Sequence, residues 1–399
     1  MNRQSKANLV TLAACQGLWM TTVSIGTTVS GLAAQSAFGM QDLITLPHAL
    51  MIVAMTLTTY PASVLMARLG RRGGLMAGAA CGALGGLLTT LAILDGAFGL
   101  FCAAVALLGV FNGFAVNYRF AAADMVEPKA RGEAISLVLL GGLLAGLAGP
   151  SLATSTVELF APVLFVGCYA AIAALAGVSL LLLATLPSDA RRSAAPQRRH
   201  AAPLGAFLRS RDFMAPLLCA ITAYGGMTFV MVATTPAMIG CGFTLGISAS
   251  VIQWHLLAMY APSFVSGRLL RHFGALPLVA AGFVFMLLAA AAGLLGTAYA
   301  NFWLTLVLVG LGWNLLFVSG TQLLAAVADD ALRARVQGLN DFIVFGVTAA
   351  MTLLAGVLVQ TWGWTAVATV LALLASAAGY AVWSLLADGR AKLPAASVA

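Results

Sequence analysis

Twelve apolar runs follow one another along this chain, at about 8–32, 43–67, 73–94, 98–123, 133–156, 159–186, 213–240, 244–267, 275–298, 300–327, 336–359 and 362–387. Each is long enough for an α-helix to cross the hydrocarbon core of a bilayer, which takes about 20 residues. A soluble domain could not enclose so much apolar surface: 61% of the residues are hydrophobic and only 8% charged, far from the balance of a globular chain. The expectation is an all-α membrane protein with twelve transmembrane helices. The apolar run behind the basic lead MNRQSK is too long for the core of a signal peptide and lacks a small-residue cleavage site. It reads as a first span that is retained.

The cations fix an orientation. Arg3 and Lys6 precede span 1; Arg68, Arg71 and Arg72 follow span 2; Lys129 and Arg131 follow span 4. A central stretch carries Arg191, Arg192, Arg198, Arg199, Arg209 and Arg211. Arg268 and Arg271 follow span 8, Arg333 and Arg335 follow span 10, and Arg390 and Lys392 close the chain. The alternate loops hold Asp42, Asp95 and Glu158 and no cation. The positive-inside rule then puts both termini in the cytoplasm. It also accounts for the net charge of +8 as topology and contact with lipid headgroups, so no nucleic-acid partner is expected.

The basic linker 187–212 separates an N-terminal six-helix half, 1–186, from a C-terminal one, 213–399, and the halves echo each other. TTYPASVLMARLGRRGG (58–74) pairs with AMYAPSFVSGRLLRHFG (258–274), aligning Tyr60 with Tyr260, Arg68 with Arg268 and Arg71 with Arg271. ADMVEPKARGEAIS (123–136) pairs with ADDALRARVQGLND (328–341), and MTTVSIGTT (20–28) with MTFVMVATT (227–235). Two parallel pseudo-symmetric six-helix halves resemble the major facilitator plan. That resemblance implies a substrate site near mid-membrane and alternating access by rocking of the halves. Gly142 and Gly146 in span 5 have the spacing of close helix packing.

Ionisable groups inside a membrane are costly and usually functional, yet few are present. Asp124, Glu133 and Asp341 fall near helix ends. Arg119 lies within span 4, where it can pair with Asp124 or helix carbonyls, or bind an organic anion. The six cysteines are scattered and form no CxxC pair. Sulfur and imidazole remain. Met227 and Met231 share a face of span 7, and His255 and Met259 a face of span 8. An ideal α-helical rise puts Met227 roughly 22 Å from Asp212 and His255 roughly 20 Å from Arg268, so the two antiparallel helices bring these residues to one level. Thioethers and neutral imidazole suit Cu(I) without burying protein charge. Chance supplies roughly one MxxxM in a chain with 15 methionines, Met51 and Met55 form another, and methionine is ordinarily core filler. The pairing of the two motifs at one depth therefore carries the reading.

MTFVM and HLLAM on helices 7 and 8 of such a plan resemble the CcoA-like bacterial copper importers. The resemblance implies a multi-pass inner-membrane protein that imports copper for cytochrome c oxidase assembly. It makes Met227, Met231, His255 and Met259 the metal ligands. Copper would be the transported substrate, with no resident cofactor, a cytoplasmic copper chaperone as a candidate partner, and a monomer in the lipid bilayer. Relatives without the motifs are linked to other substrates, riboflavin among them.

Cys219 and Cys241 are expected to assist as soft groups at the two mouths. The repeat aligns Met20 with Met227 and Met55 with His255, offering a pseudo-symmetric half-site from helices 1 and 2; packing is the competing role. The alternative substrate class is an organic solute, by riboflavin-like uptake or drug/proton antiport, and a non-transporting membrane scaffold is a further class. No nucleophile–base set, phosphate loop or zinc spacing points to an enzyme.

Overall fold

The computed structural model describes residues 3–127, 131–187, 207–208, 210–325, 327 and 330–387, and every regular element among them is helical. The chain divides into two compact units, Met1–Gln197 and Arg198–Ala399. Most of the expected linker lies outside the described residues, and so do Lys129, Arg191, Arg192, Arg198, Arg199, Arg209, Arg390 and Lys392.

The N-terminal unit contains α1 (Arg3–Phe38), α2 (Leu46–Leu94), α3 (Phe98–Ala115), α4 (Tyr118–Asp124), α5 (Arg131–Thr156) and α6 (Val166–Ala184). α2 joins two expected spans, and Gly70 interrupts it at φ 78°, ψ 165°. Only glycine takes that backbone geometry readily. Arg68, Arg71 and Arg72 surround the break. α2 packs along α3 and α6, and α1 along α5. Leu12, Cys15, Trp19, Phe111, Phe114 and Tyr118 meet in the core of this unit.

Between helices in lipid, packing replaces water exclusion as the main attraction, so small residues set the closest approaches. A Cβ at Gly141 would lie 2.1 Å from the Ala13 carbonyl oxygen, whereas one at Gly142 would meet only Met20 at 3.6 Å. Gly149 of the same span is also tight, its added Cβ falling 2.4 Å from that of Ser24, so the close approaches of span 5 lie at Gly141 and Gly149 and not at the expected Gly142.

The C-terminal unit contains α7 (Arg211–Ala220), a π-helical turn (Ile221–Gly226), α8 (Met227–Gly240), α9 (Leu245–Tyr260), α10 (Ser263–Phe273), α11 (Ala275–Leu294), α12 (Tyr299–Ala325), α13 (Asp330–Thr361) and α14 (Gly363–Ala387). The expected straight span 7 is α7, the π turn and α8 in series. Its i→i+5 bonding widens the helix and shortens it per residue, so the ideal-helix depth of Met227 is overstated. α9 starts at Thr244, whose hydroxyl accepts a hydrogen bond from the Ile247 amide. Gly274, at φ 80° and ψ 177°, separates α10 from α11.

Ten helical stretches among the described residues are long and apolar enough to cross a membrane, against the twelve expected. The two expected spans not counted, 133–156 and 244–267, are nonetheless helical over most of their length. The first lies within α5. The second is divided at Ala261–Pro262: α9 has sixteen residues and α10 eleven, each short of a crossing. Proline supplies no amide hydrogen to continue the ladder. Large apolar side chains such as Leu181, Leu373 and Trp383 point outward, the inverse of a soluble surface and what lipid solvates.

Candidate functional site

α9 lies against α12, and the contact is built from three α12 residues one turn apart. Nδ1 of His255 lies 2.7 Å from the Leu306 carbonyl oxygen. A carbonyl only accepts, so Nδ1 carries the proton and Nε2 of the neutral ring presents a lone pair. His255 is fully buried, and Nε2 has no hydrogen-bond partner among the described residues. One turn along, a Cβ at Gly310 would lie 2.8 Å from the His255 carbonyl oxygen, so glycine lets the two backbones touch. One turn further, the Asn314 amide donates to the Met259 carbonyl at 2.8 Å and to the Ser263 hydroxyl at 2.7 Å. That amide fastens the end of α9 to the start of α10 across the Pro262 break.

Met227, Met231 and Met259 are buried in the same apolar cluster of the C-terminal unit. α8 packs on α9, and His255 is likewise buried on α9. The Thr228 hydroxyl lies 3.9 Å from the Met227 sulfur. No group of three His, Cys, Asp or Glu side chains occurs among the described residues, so a metal held here would depend on thioethers. Cys219 is fully buried, its Cβ 3.2 Å from where one would stand on Gly320. Cys241 is exposed at the end of α8.

The expected half-site of Met20 and Met55 needs re-registering. Met20 is half-buried beside Gly142 of α5. A Cβ at Gly109 of α3 would lie 2.1 Å from the Met51 carbonyl oxygen, and one at Gly113 would lie 3.0 Å from that of Met55. These contacts repeat Gly310 on His255 and Asn314 on Met259 in the other unit. By backbone contact, Met51 corresponds to His255 and Met55 to Met259. The sequence echo, anchored on the arginine-rich segment, pairs residues four positions out of step, because Gly70 and Gly274 are the true equivalents in backbone geometry.

Two features escaped the sequence reading. In the N-terminal unit, His48, Met51, Ser30, Asn112 and Tyr169 line a cavity of about 10 Å³, room for the centre of one water molecule. The Tyr169 hydroxyl is buried without a partner among the described residues, while the Asn112 side-chain oxygen accepts from the Trp19 indole at 2.7 Å. In the C-terminal unit, Tyr224 on the π turn meets Trp313, Phe317 and Phe345 edge-on, with ring centroids 5.5, 5.6 and 5.3 Å away. Trp313 and Phe317 stack at 4.9 Å with 14° between planes, and Tyr260 meets Trp313 at 5.9 Å. The π turn is held by close packing: a Cβ on Gly225 would lie 2.9 Å from the Met351 sulfur. The available signal was Trp313 and Phe317 at helical spacing on α12; the other rings come from three separate helical segments. Arg119, expected to pair with Asp124 or helix carbonyls or to bind an organic anion, has a buried Nε without a partner among the described residues and its guanidinium carbon 4.8 Å from the Phe120 ring centroid; the Asp124 side chain lies outside the described residues.

Long apolar helices in two units, with polar groups buried inside them, define a multi-pass helical membrane protein. Residues 8–351 match the Major Facilitator Superfamily, and the chain belongs to that family of transporters, which are not enzymes. It is 35% identical over 362 residues to the riboflavin transporter RfnT of Brucella anthropi, covering 90% of this chain and 91% of that one. It is 30% identical over 355 residues to the uncharacterized MFS-type transporter YdeG of Bacillus subtilis, covering 84% and 82%. The fold matches the crystal structure of the nucleoside transporter NupG with a TM-score of 0.70 at 15% identity, over 98% of this chain and all of the other.

Proposed function

We propose that this transporter takes up a riboflavin-like organic solute by alternating access. The observation that carries the reading is the 35% identity with the riboflavin transporter, maintained along nine-tenths of the chain. It favours what the sequence analysis held as the alternative over copper import. The arginine-rich segments and the positive-inside rule support cytoplasmic termini. Uptake of radiolabelled riboflavin by a riboflavin-auxotrophic host tests the reading. Expression of the chain is expected to restore uptake, and uptake at the empty-vector level would refute it.

One observation favours a second reading. The His255 Nε2 is buried with no partner among the described residues, and Met259, one turn along the same helix, is buried in a cluster with Met227 and Met231. A soft cation such as Cu(I) matches that donor set, and anchoring of the other ring nitrogen is how metal-bound histidines are commonly oriented. On this reading the cargo is copper, handed to a cytoplasmic chaperone. Radiocopper accumulation that disappears in His255→Ala would favour it, while copper uptake indifferent to that change would exclude it.

A further inference from the structure

We infer that the aromatic cluster of the C-terminal unit is a stacking site for a flat, uncharged fused-ring heterocycle, and that the Trp313 indole donates a hydrogen bond to a carbonyl or ring nitrogen of that ligand. The inference deepens the organic-solute reading and rests on it.

Three observations converge. First, the cluster is not sealed as a core would be. Trp313 is buried, but Tyr224, Tyr260, Phe317 and Phe345 are each only half-buried. Their rings come from the π turn, α9, α12 and α13, so four helical segments offer ring faces and edges at one place. Second, Tyr224 stands on a π-helical turn, a distortion frequently found at functional sites. Third, the Trp313 Nε1–H is buried with no acceptor among the described residues. A donor left in that state is expensive, and a ligand acceptor would answer it.

The ligand chemistry follows from these groups. Ring faces bind any flat π-system by stacking. The single orphan donor asks for an acceptor on the ligand. Asp341, one helical turn before Phe345 on α13 and inside the span Val336–Thr361, accepts from the Asn340 side-chain amide at 3.1 Å; a carboxylate has lone pairs enough to accept from ligand N–H or O–H groups as well. A polyhydroxylated fused-ring heterocycle meets all three requirements, while a small aliphatic solute would leave the rings idle.

The test uses purified full-length protein in nanodiscs. Binding of riboflavin is read from quenching of flavin fluorescence, and binding of lumichrome, which is the flavin ring without the ribityl chain, in the same way. Phe345→Leu removes one ring, and Trp313→Phe keeps the ring but removes the donor. Each is expected to weaken binding by about tenfold, in line with the loss of one aromatic contact or one hydrogen bond, with elution on size exclusion like wild type. Unchanged binding in both variants would overturn the stacking site while leaving riboflavin as cargo. Lumichrome binding without riboflavin binding, still weakened in both variants, would support the site and refute riboflavin as cargo. Wild type that binds neither ring would overturn both.

Discussion

The imidazole Nδ1 of His255 on α9 and the carbonyl oxygen of Leu306 on α12 are 2.7 Å apart, a buried hydrogen bond between residues 51 positions apart in the chain. It fixes the ring's tautomer and orientation and leaves Nε2 as a bare lone pair.

His255→Ala removes this bond and exposes the Leu306 carbonyl to an apolar interior, a loss of about 1–3 kcal/mol. The expected result is a lower apparent Tm in nanodiscs, with riboflavin uptake retained by the inserted protein. Uptake that falls to the empty-vector level despite normal insertion would place the imidazole in the organic-solute pathway.

Gly310→Ala forces a methyl group to within 2.8 Å of the His255 carbonyl oxygen and 3.1 Å of the Met259 amide nitrogen. Backbone cannot yield as a flexible side chain can, so overpacking is expected to cost about 1–3 kcal/mol. Gly177→Ala in α6 is the control, since nothing lies within 4 Å of its added Cβ. It should leave thermal stability unchanged, or raise it by up to about 1 kcal/mol through helix propensity. Equal melting temperatures for both variants would contradict the close approach of α9 and α12.

Asn314→Ala withdraws the amide that joins the Met259 carbonyl to the Ser263 hydroxyl. The expected cost is about 1–3 kcal/mol, and the effect should be local. Hydrogen exchange measured by mass spectrometry is expected to rise in peptides spanning 256–266 and to stay at the wild-type rate in α11. Exchange unchanged around Pro262 would show that the break holds without this staple.

Gly70→Ala and Gly274→Ala each ask a Cβ-bearing residue to adopt φ near +80° with an extended ψ. That region is essentially reserved for glycine, and each change is expected to cost about 1–3 kcal/mol. Matched losses of apparent Tm in the two single variants are the expected result. A neutral effect at either position would argue against the shared turn geometry.

Apolar run length made most spans legible, since hydrocarbon thickness imposes it directly. The arginines at 68, 71, 268 and 271 marked the corresponding segments of the two units without giving their register, because the chain alone does not say which glycine takes positive φ. The π turn at Ile221–Gly226 was invisible for a related reason: its residues carry no signal that sets them apart from the α-helical ones around them. The sulfur and imidazole residues of α8 and α9 were found because soft donors are conspicuous by type. The aromatic cluster was not, because Tyr224, Tyr260, Trp313 and Phe345 are far apart in sequence and aromatic residues are common in spans. Only spatial convergence and the unanswered indole N–H single them out.

The glycine contacts of Gly109 on Met51 and of Gly310 on His255 bear on mechanics. With no side chain between the paired backbones, neither α3 along α2 nor α12 along α9 can slide by a fraction of a turn without steric collision. Each pair therefore behaves as a welded plank, and whatever displacement a transport cycle requires must be taken up by other joints.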